Sequence, residues 1–155
     1  MDPSPKDLTD QIDEATTLLL RTAESLTDAQ IEEPSLLHGW TRGYLLGHIT
    51  RNANALLGFL GAVPVSGETG VAALRASAAA LQTAFEAMPA DGWDAPVDLP
   101  DKQVPARHLL IMRLVEIELH HVDLDAGYVP ADWPTTFNEL ELRDPQRQWR
   151  ADRLV

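Results

Sequence analysis

The stretch ARHLLIMRLVEIELHHVDLDAG, residues 106–127, constrains the fold of this chain more than any other. It is the most apolar run in the sequence and has helical length, yet it carries Arg113, Glu116, Glu118, His120, His121 and Asp123. An unpaired charge is costly to desolvate, so groups of this kind must be exposed, mutually paired or bound to a metal. At about 100° per residue, Arg113, Glu116, His120 and Asp123 project within roughly 80° of one another. They form one inward polar stripe. Glu118 and His121 point elsewhere and are expected to be bystanders on other faces.

Glu116 and His120 are four residues apart, so their side chains can converge on one point. A carboxylate and an imidazole are a donor pair that zinc or another divalent metal accepts. The spacing is equally that of a hydrogen-bonded Glu–His pair on a solvated helix face. A metal needs a third ligand, and the histidines available are His38, His48, His108 and His121. His48 is the best placed, between Leu45, Ile49 and Asn52 on the side of its helix expected to face the interior; the alternative is a core histidine satisfied by one hydrogen bond. His38 falls in a loop and His108 near a helix start, and His121 is rotated about 100° from His120. Two histidines and one glutamate would leave an open coordination position, as catalytic zinc sites do. Asp123, one turn beyond His120, can accept that imidazole's second N–H and fix its orientation, or cap a local hydrogen bond near the helix end.

The remaining sequence supplies the partners of this helix. Ser4 as a cap and Pro5 in the first turn open a helix over 5–26, with Ile12, Ala15, Leu19, Ala23 and Leu26 at helical spacing. Thr27 with Gln30 has capping-box spacing and predicts a short turn of helix before Pro34. A second long helix spans 41–61, with Tyr44, His48, Asn52, Ala55 and Phe59 on one side. A third, alanine-rich helix spans 68–88 and buries Leu74, Ala78, Leu81 and Phe85. The segment PADGWDAPVDLPDKQVPAR reads as an ordered loop with at most two short strands, around VDL and QV. Pro105 then opens the fourth helix, which is expected to run to Gly127. The prediction is an all-α, up-down four-helix bundle over 1–137, followed by an irregular tail over 138–155 with a short helix at most.

Composition narrows the function. The 155 residues include 12 basic and 24 acidic ones, giving a formal net charge of -12, which disfavours nucleic acid and anionic membranes as partners. No apolar run approaches the roughly 20 residues needed to span a bilayer. The acidic, polar start MDPSPKDLTDQIDEA lacks the pattern of a secretory signal, so a cytoplasmic location is expected. There is no cysteine, which removes disulfides, Cys-ligated metals and a cysteine nucleophile. Any thiol chemistry must use a thiol brought by a substrate.

GWTRGYLLGHITRNANAL followed by RLVEIELHHVDLDAGY resembles the N-terminal domain of mycothiol-dependent maleylpyruvate isomerases, within the DinB-like superfamily of metal-binding four-helix bundles. The carriers are the GWT entry, H-x-x-x-N on the second helix and E-x-x-x-H-x-x-D-L on the fourth, and the likeness covers roughly residues 8–133. It implies a zinc held by His48, Glu116 and His120, with mycothiol as cosubstrate presented as a thiolate to an electrophilic small molecule. Where family members carry a longer segment between the second and third helices, this chain has AVPVSGETG. The expected activity is that of a zinc-dependent thiol S-transferase or isomerase-like enzyme. Arg113 is a candidate for orienting an anionic group or for pairing with Glu116. Trp40 is expected to pack, while Arg42 and Asn52 lie near the site with open roles. The same ligands also suit a metal-dependent hydrolase or a non-catalytic metal-binding bundle, with homodimerisation through an apolar face as a further expectation.

Overall fold

The Ser4 hydroxyl accepts from the Asp7 amide while the Asp7 carboxylate accepts from the Ser4 amide, and Pro5 sits in the first turn, so α1 begins where the sequence predicts and runs Pro5–Ser25. The computed structural model describes residues 2–155. Thr27 and Gln30 form the expected reciprocal cap on α2, Asp28–Ile31. Thr41 caps α3, Arg42–Phe59, and α4 covers Gly70–Glu86. The predicted apolar stripe of α4 is buried in full. α3 behaves differently: it buries Leu45, Leu46, Ile49, Ala53, Leu56 and Leu57, while Tyr44 and Ala55 are exposed and His48 and Asn52 lie at the margin of the core.

The all-α expectation needs correction. After a buried Trp93, whose ring lies 6.1 Å from Phe85, β1 (Pro96–Asp98) pairs antiparallel with β2 (Gln103–Pro105). Val97 opposes Val104 and is buried, so the proline-rich connection is a hairpin pinned to the core. It leads directly into α5, Arg107–Asp123. α1 packs on α4 and α5, and α3 packs on the same two helices, closing a ring of four. Trp133, Phe137, Leu140 and Leu142 from the following segment are buried in the same core, and the segment forms α6, Thr135–Asn138, and α7, Gln146–Asp152. Among the described residues no helix is long and apolar enough to cross a membrane.

α5 is covered on nearly every side, so Glu118 and His121, which point away from the inward stripe as expected, are packed against other elements. Each is only 1% exposed. His121 Nε2 lies 2.7 Å from the Thr22 hydroxyl on α1, and its ring stacks on Tyr128 at 3.7 Å between centroids. The Tyr128 hydroxyl donates to the Glu118 carboxylate, and Trp133 Nε1 donates to the Glu118 carbonyl at 3.1 Å. Burial pushes the Glu118 carboxyl up to about 7 and the His121 imidazole down to about 4, favouring the neutral forms. Helical periodicity gives the direction of these side chains but not that α1 and the tail stand there to receive them.

α5 also ends earlier than its apolar pattern suggests, at Asp123 rather than near Gly127. Its last carbonyls turn to partners outside the helix. The Leu36 amide donates to Asp123 O, Arg42 Nε to Leu124 O and Arg42 Nη2 to Asp125 O, while Asp125 adopts a left-handed φ of 54°. A cation at this end also opposes the helix dipole. Arg42 is thus tied to the end of α5 through two backbone carbonyls, and to α2 through Gln30 O, rather than to the predicted site.

Three substitutions test this account. Tyr128→Ala, which removes both the stack on His121 and the hydrogen bond to Glu118, is expected to lower unfolding free energy by about 2–4 kcal/mol in urea melts. Val63→Ala, at an exposed loop position, should stay within about 0.5 kcal/mol. Arg42→Ala should speed amide hydrogen exchange at the α5 C-terminus and the 33–41 loop while leaving α4 unchanged.

Candidate metal centre

α3 and α5 run side by side, and the point where their polar margins meet brings His48, Glu116 and His120 together. Their ligating atoms all lie within 4.8 Å of one another. His48 Nε2 is 2.7 Å and His120 Nε2 3.3 Å from the same Glu116 Oε1. Neither imidazole is aligned to give that oxygen a directed hydrogen bond, so a buried carboxylate oxygen remains without a partner. Atoms 2.7–3.3 Å apart are spaced as donors sharing a cation through bonds of about 2.1 Å. The donor set and the unpartnered oxygen both fit a divalent metal, and these three residues could hold one.

The surroundings act differently on the two histidines. Burial lowers the pKa of His48, with Glu116 opposing the shift. Burial alone would also lower His120, but the hydrogen bond to Asp123 and the nearby negative charges of Glu116 and Asp123 prevail and raise it to about 9. Burial disfavours the Glu116 carboxylate, yet His120, His48 and Arg113 together hold it below its ordinary value. Asp123 is 3% exposed, and its Oδ2 accepts from His120 Nδ1 at 2.9 Å. That contact assigns the proton to Nδ1 and leaves Nε2 toward Glu116. Arg153, from the end of α7, grips the same carboxylate.

Arg113 is buried among helices, donating from Nη1 to Ile49 O and to Asn52 Oδ1, both at 2.9 Å. Its pKa is pushed down to about 10 by burial. It therefore bridges α5 to α3 behind Glu116, while Asn52 reaches the edge of the cavity in front. Trp40 packs beside His48, with ring centroids 5.1 Å apart. His38 is exposed in its loop and takes no part.

The cavity has a volume of about 840 Å³ and has His48, Glu116 and His120 in its wall. α5 contributes Met112, Val115 and Leu119, and the hairpin contributes Leu99 and Lys102. The tail closes it with Arg143, Trp149 and Arg153. The sequence reading missed this wall, including His108, which lines the cavity after all. The only hint was the arginine-rich RDPQRQWRADRLV, whose weak periodicity says nothing about where it docks.

A comparison with curated protein sequences finds no match. Among solved structures, the crystal structure of the mycothiol-dependent maleylpyruvate isomerase is 28% identical, with a TM-score of 0.75, over 86% of this chain. That of a histidine-to-alanine mutant of a mycothiol-dependent maleylpyruvate isomerase is 27% identical with the same TM-score. The chain spans 66% of the length of each. The sequence profile described as the mycothiol maleylpyruvate isomerase N-terminal domain matches residues 12–125, a range that contains His48, Glu116, His120 and Asp123. The chain belongs to the family of the mycothiol maleylpyruvate isomerase N-terminal domain.

Proposed function

We propose that this protein is a zinc-dependent enzyme on a DinB-like four-helix frame that uses a low-molecular-weight thiol, mycothiol, to attack an electrophilic small molecule, as an S-transferase or isomerase. The observation that carries the proposal is the buried Glu116 oxygen lying between two imidazole nitrogens in the wall of a large cavity. His48, Glu116 and His120 would hold the metal. A divalent cation held there would lower the pKa of a coordinating thiol and so supply a sulfur that is nucleophilic near neutral pH.

The rest of the work belongs to the chain. Asp123 keeps the His120 proton on Nδ1, so Nε2 presents its lone pair. Arg113 holds Asn52 and the Ile49 carbonyl, fixing α3 against α5 so that His48 and Glu116 stay within reach of each other. Met112, Val115, Leu99 and Leu119 make the walls apolar and exclude water from the attacking sulfur. Lys102 and Arg143 stand in the cavity wall beside the acidic Asp101 and Asp144. With no cysteine in the sequence, the reacting sulfur must arrive as a cosubstrate. Metal-assisted hydrolysis would use the same three ligands. Membership in a mycothiol-associated family favours thiol transfer.

The purified protein is expected to bind about one equivalent of zinc, and chelation should abolish S-conjugate formation from mycothiol and a panel of electrophiles. His120→Ala should eliminate zinc binding while its far-UV circular dichroism keeps the helical signal; unchanged affinity in this variant would sink the assignment of the site. Protons compete with the metal for His48 and His120, so isothermal titration should show zinc affinity falling as the pH is lowered from about 8 to about 6.

A further inference from the structure

Arg153 is far in sequence from the ligand-bearing helices, yet two contacts separate it from a candidate ligand. Its Nε donates to Asp123 Oδ1 at 3.1 Å and its Nη2 to Asp123 Oδ2 at 2.7 Å. The same Oδ2 accepts from His120 Nδ1. Among the described residues, these two side chains are the hydrogen-bond partners of the Asp123 carboxylate. The guanidinium is itself largely covered and is braced by its Nη1 bond to Trp149 O within α7.

We propose that Arg153 is a positioning residue of the metal centre, so that docking of α7 and binding of a divalent cation at His48, Glu116 and His120 strengthen each other. The coupling rests on the metal-centre reading above. A carboxylate bonded only to one imidazole can turn about its own axis. The two-point fork of an arginine fixes its plane and offsets its buried charge. A fixed Asp123 in turn fixes the ring of His120, and outer partners of ligating histidines are commonly worth about 10–100-fold in metal affinity.

The device also acts on the cavity. Trp149, one turn before Arg153, lines the space in front of the ligands, so the residue that orients His120 sits on the element that closes that space. By linkage, metal binding must stabilise the docked α7 by the same free energy by which the docked α7 stabilises metal binding. A second tether separates this effect from general loosening of the tail. Arg150 Nη1 donates to Phe137 O at 2.6 Å and its guanidinium lies over the Phe137 ring, holding α7 to the segment around α6 without touching Asp123.

The test is zinc titration of the full chain as wild type, Arg153→Ala, Arg153→Lys and Arg150→Ala, with hydrogen exchange of α7 followed with and without zinc. Arg153→Ala is expected to lose about 10–100-fold in zinc affinity. Arg153→Lys, able to make one contact rather than a fork, should recover part of it, and Arg150→Ala, which loosens α7 but leaves the Asp123 fork intact, should lose much less than Arg153→Ala. Zinc should slow exchange in α7 of the wild type and have no such effect in Arg153→Ala. The visible spectrum of the cobalt-loaded protein should change in Arg153→Ala and stay unchanged in Arg150→Ala. Wild-type affinity in Arg153→Ala overturns the proposal, as does an equal loss in Arg150→Ala, which would make tail docking alone responsible. A wild type that takes up no zinc overturns the metal centre and the coupling together, and its own titration tells that failure apart from failure of the coupling alone.

Discussion

The structure depends on the need to satisfy the polar groups buried along α5. Four of the buried residues of this helix are ionisable: Arg113, Glu118, His121 and Asp123. A buried polar group without a partner is destabilising by about 1–3 kcal/mol, more if charged, so each must be met by something. Each is met by a different element. Arg113 takes Ile49 and Asn52 on α3, and His121 takes Thr22 on α1. Glu118 takes Tyr128 just beyond the helix, and Asp123 takes Arg153 at the end of α7. The helix ring and the folding back of the tail are thus two answers to one requirement.

At the candidate site that requirement is left open on the side of the cavity. Glu116 stands among these neighbours, and its Oε1 has two imidazoles close by and no directed hydrogen bond. Arg113 Nη2 and His121 Nδ1 on the same helix are also buried without a partner, but Glu116 Oε1 is set apart by the two imidazoles that face it in the cavity wall, and local rules are characteristically broken where chemistry is done. The neighbouring groups differ accordingly. Burial keeps Glu118 and His121 toward neutral forms, whereas the carboxylates around His120 favour its charged form when only protons compete for it.

How much of this was legible in the sequence follows from the range of each interaction. The starts of α1 and α2 were readable because Ser4, Asp7, Thr27 and Gln30 act within three residues of one another. The triad was readable because Glu116 and His120 share a helix face and His48 was the histidine with a matching setting on a second helix. That Glu118 and His121 lie off the site follows from the 3.6-residue period, which shows which way a side chain points but not which element it meets. Arg153 lies 30 residues from Asp123 in a segment without a clear pattern, so no local signal announced it. The early end of α5 was hidden for the same reason, since its carbonyls are satisfied by Arg42, 82 residues away.

The partners of α5 also specify its alignment. Sliding the helix one residue past its neighbours would shift it about 1.5 Å along its axis and turn it about 100°. The apolar side chains would tolerate this in part, because leucine, isoleucine and valine are nearly interchangeable as fillers of a core. The polar ones would not: one such step would strand Arg113, Glu118, His121 and Asp123 away from four separate partners at once. The same groups that make the helix expensive to bury therefore make its register unique, and a site assembled across two helices needs that uniqueness more than it needs additional stability.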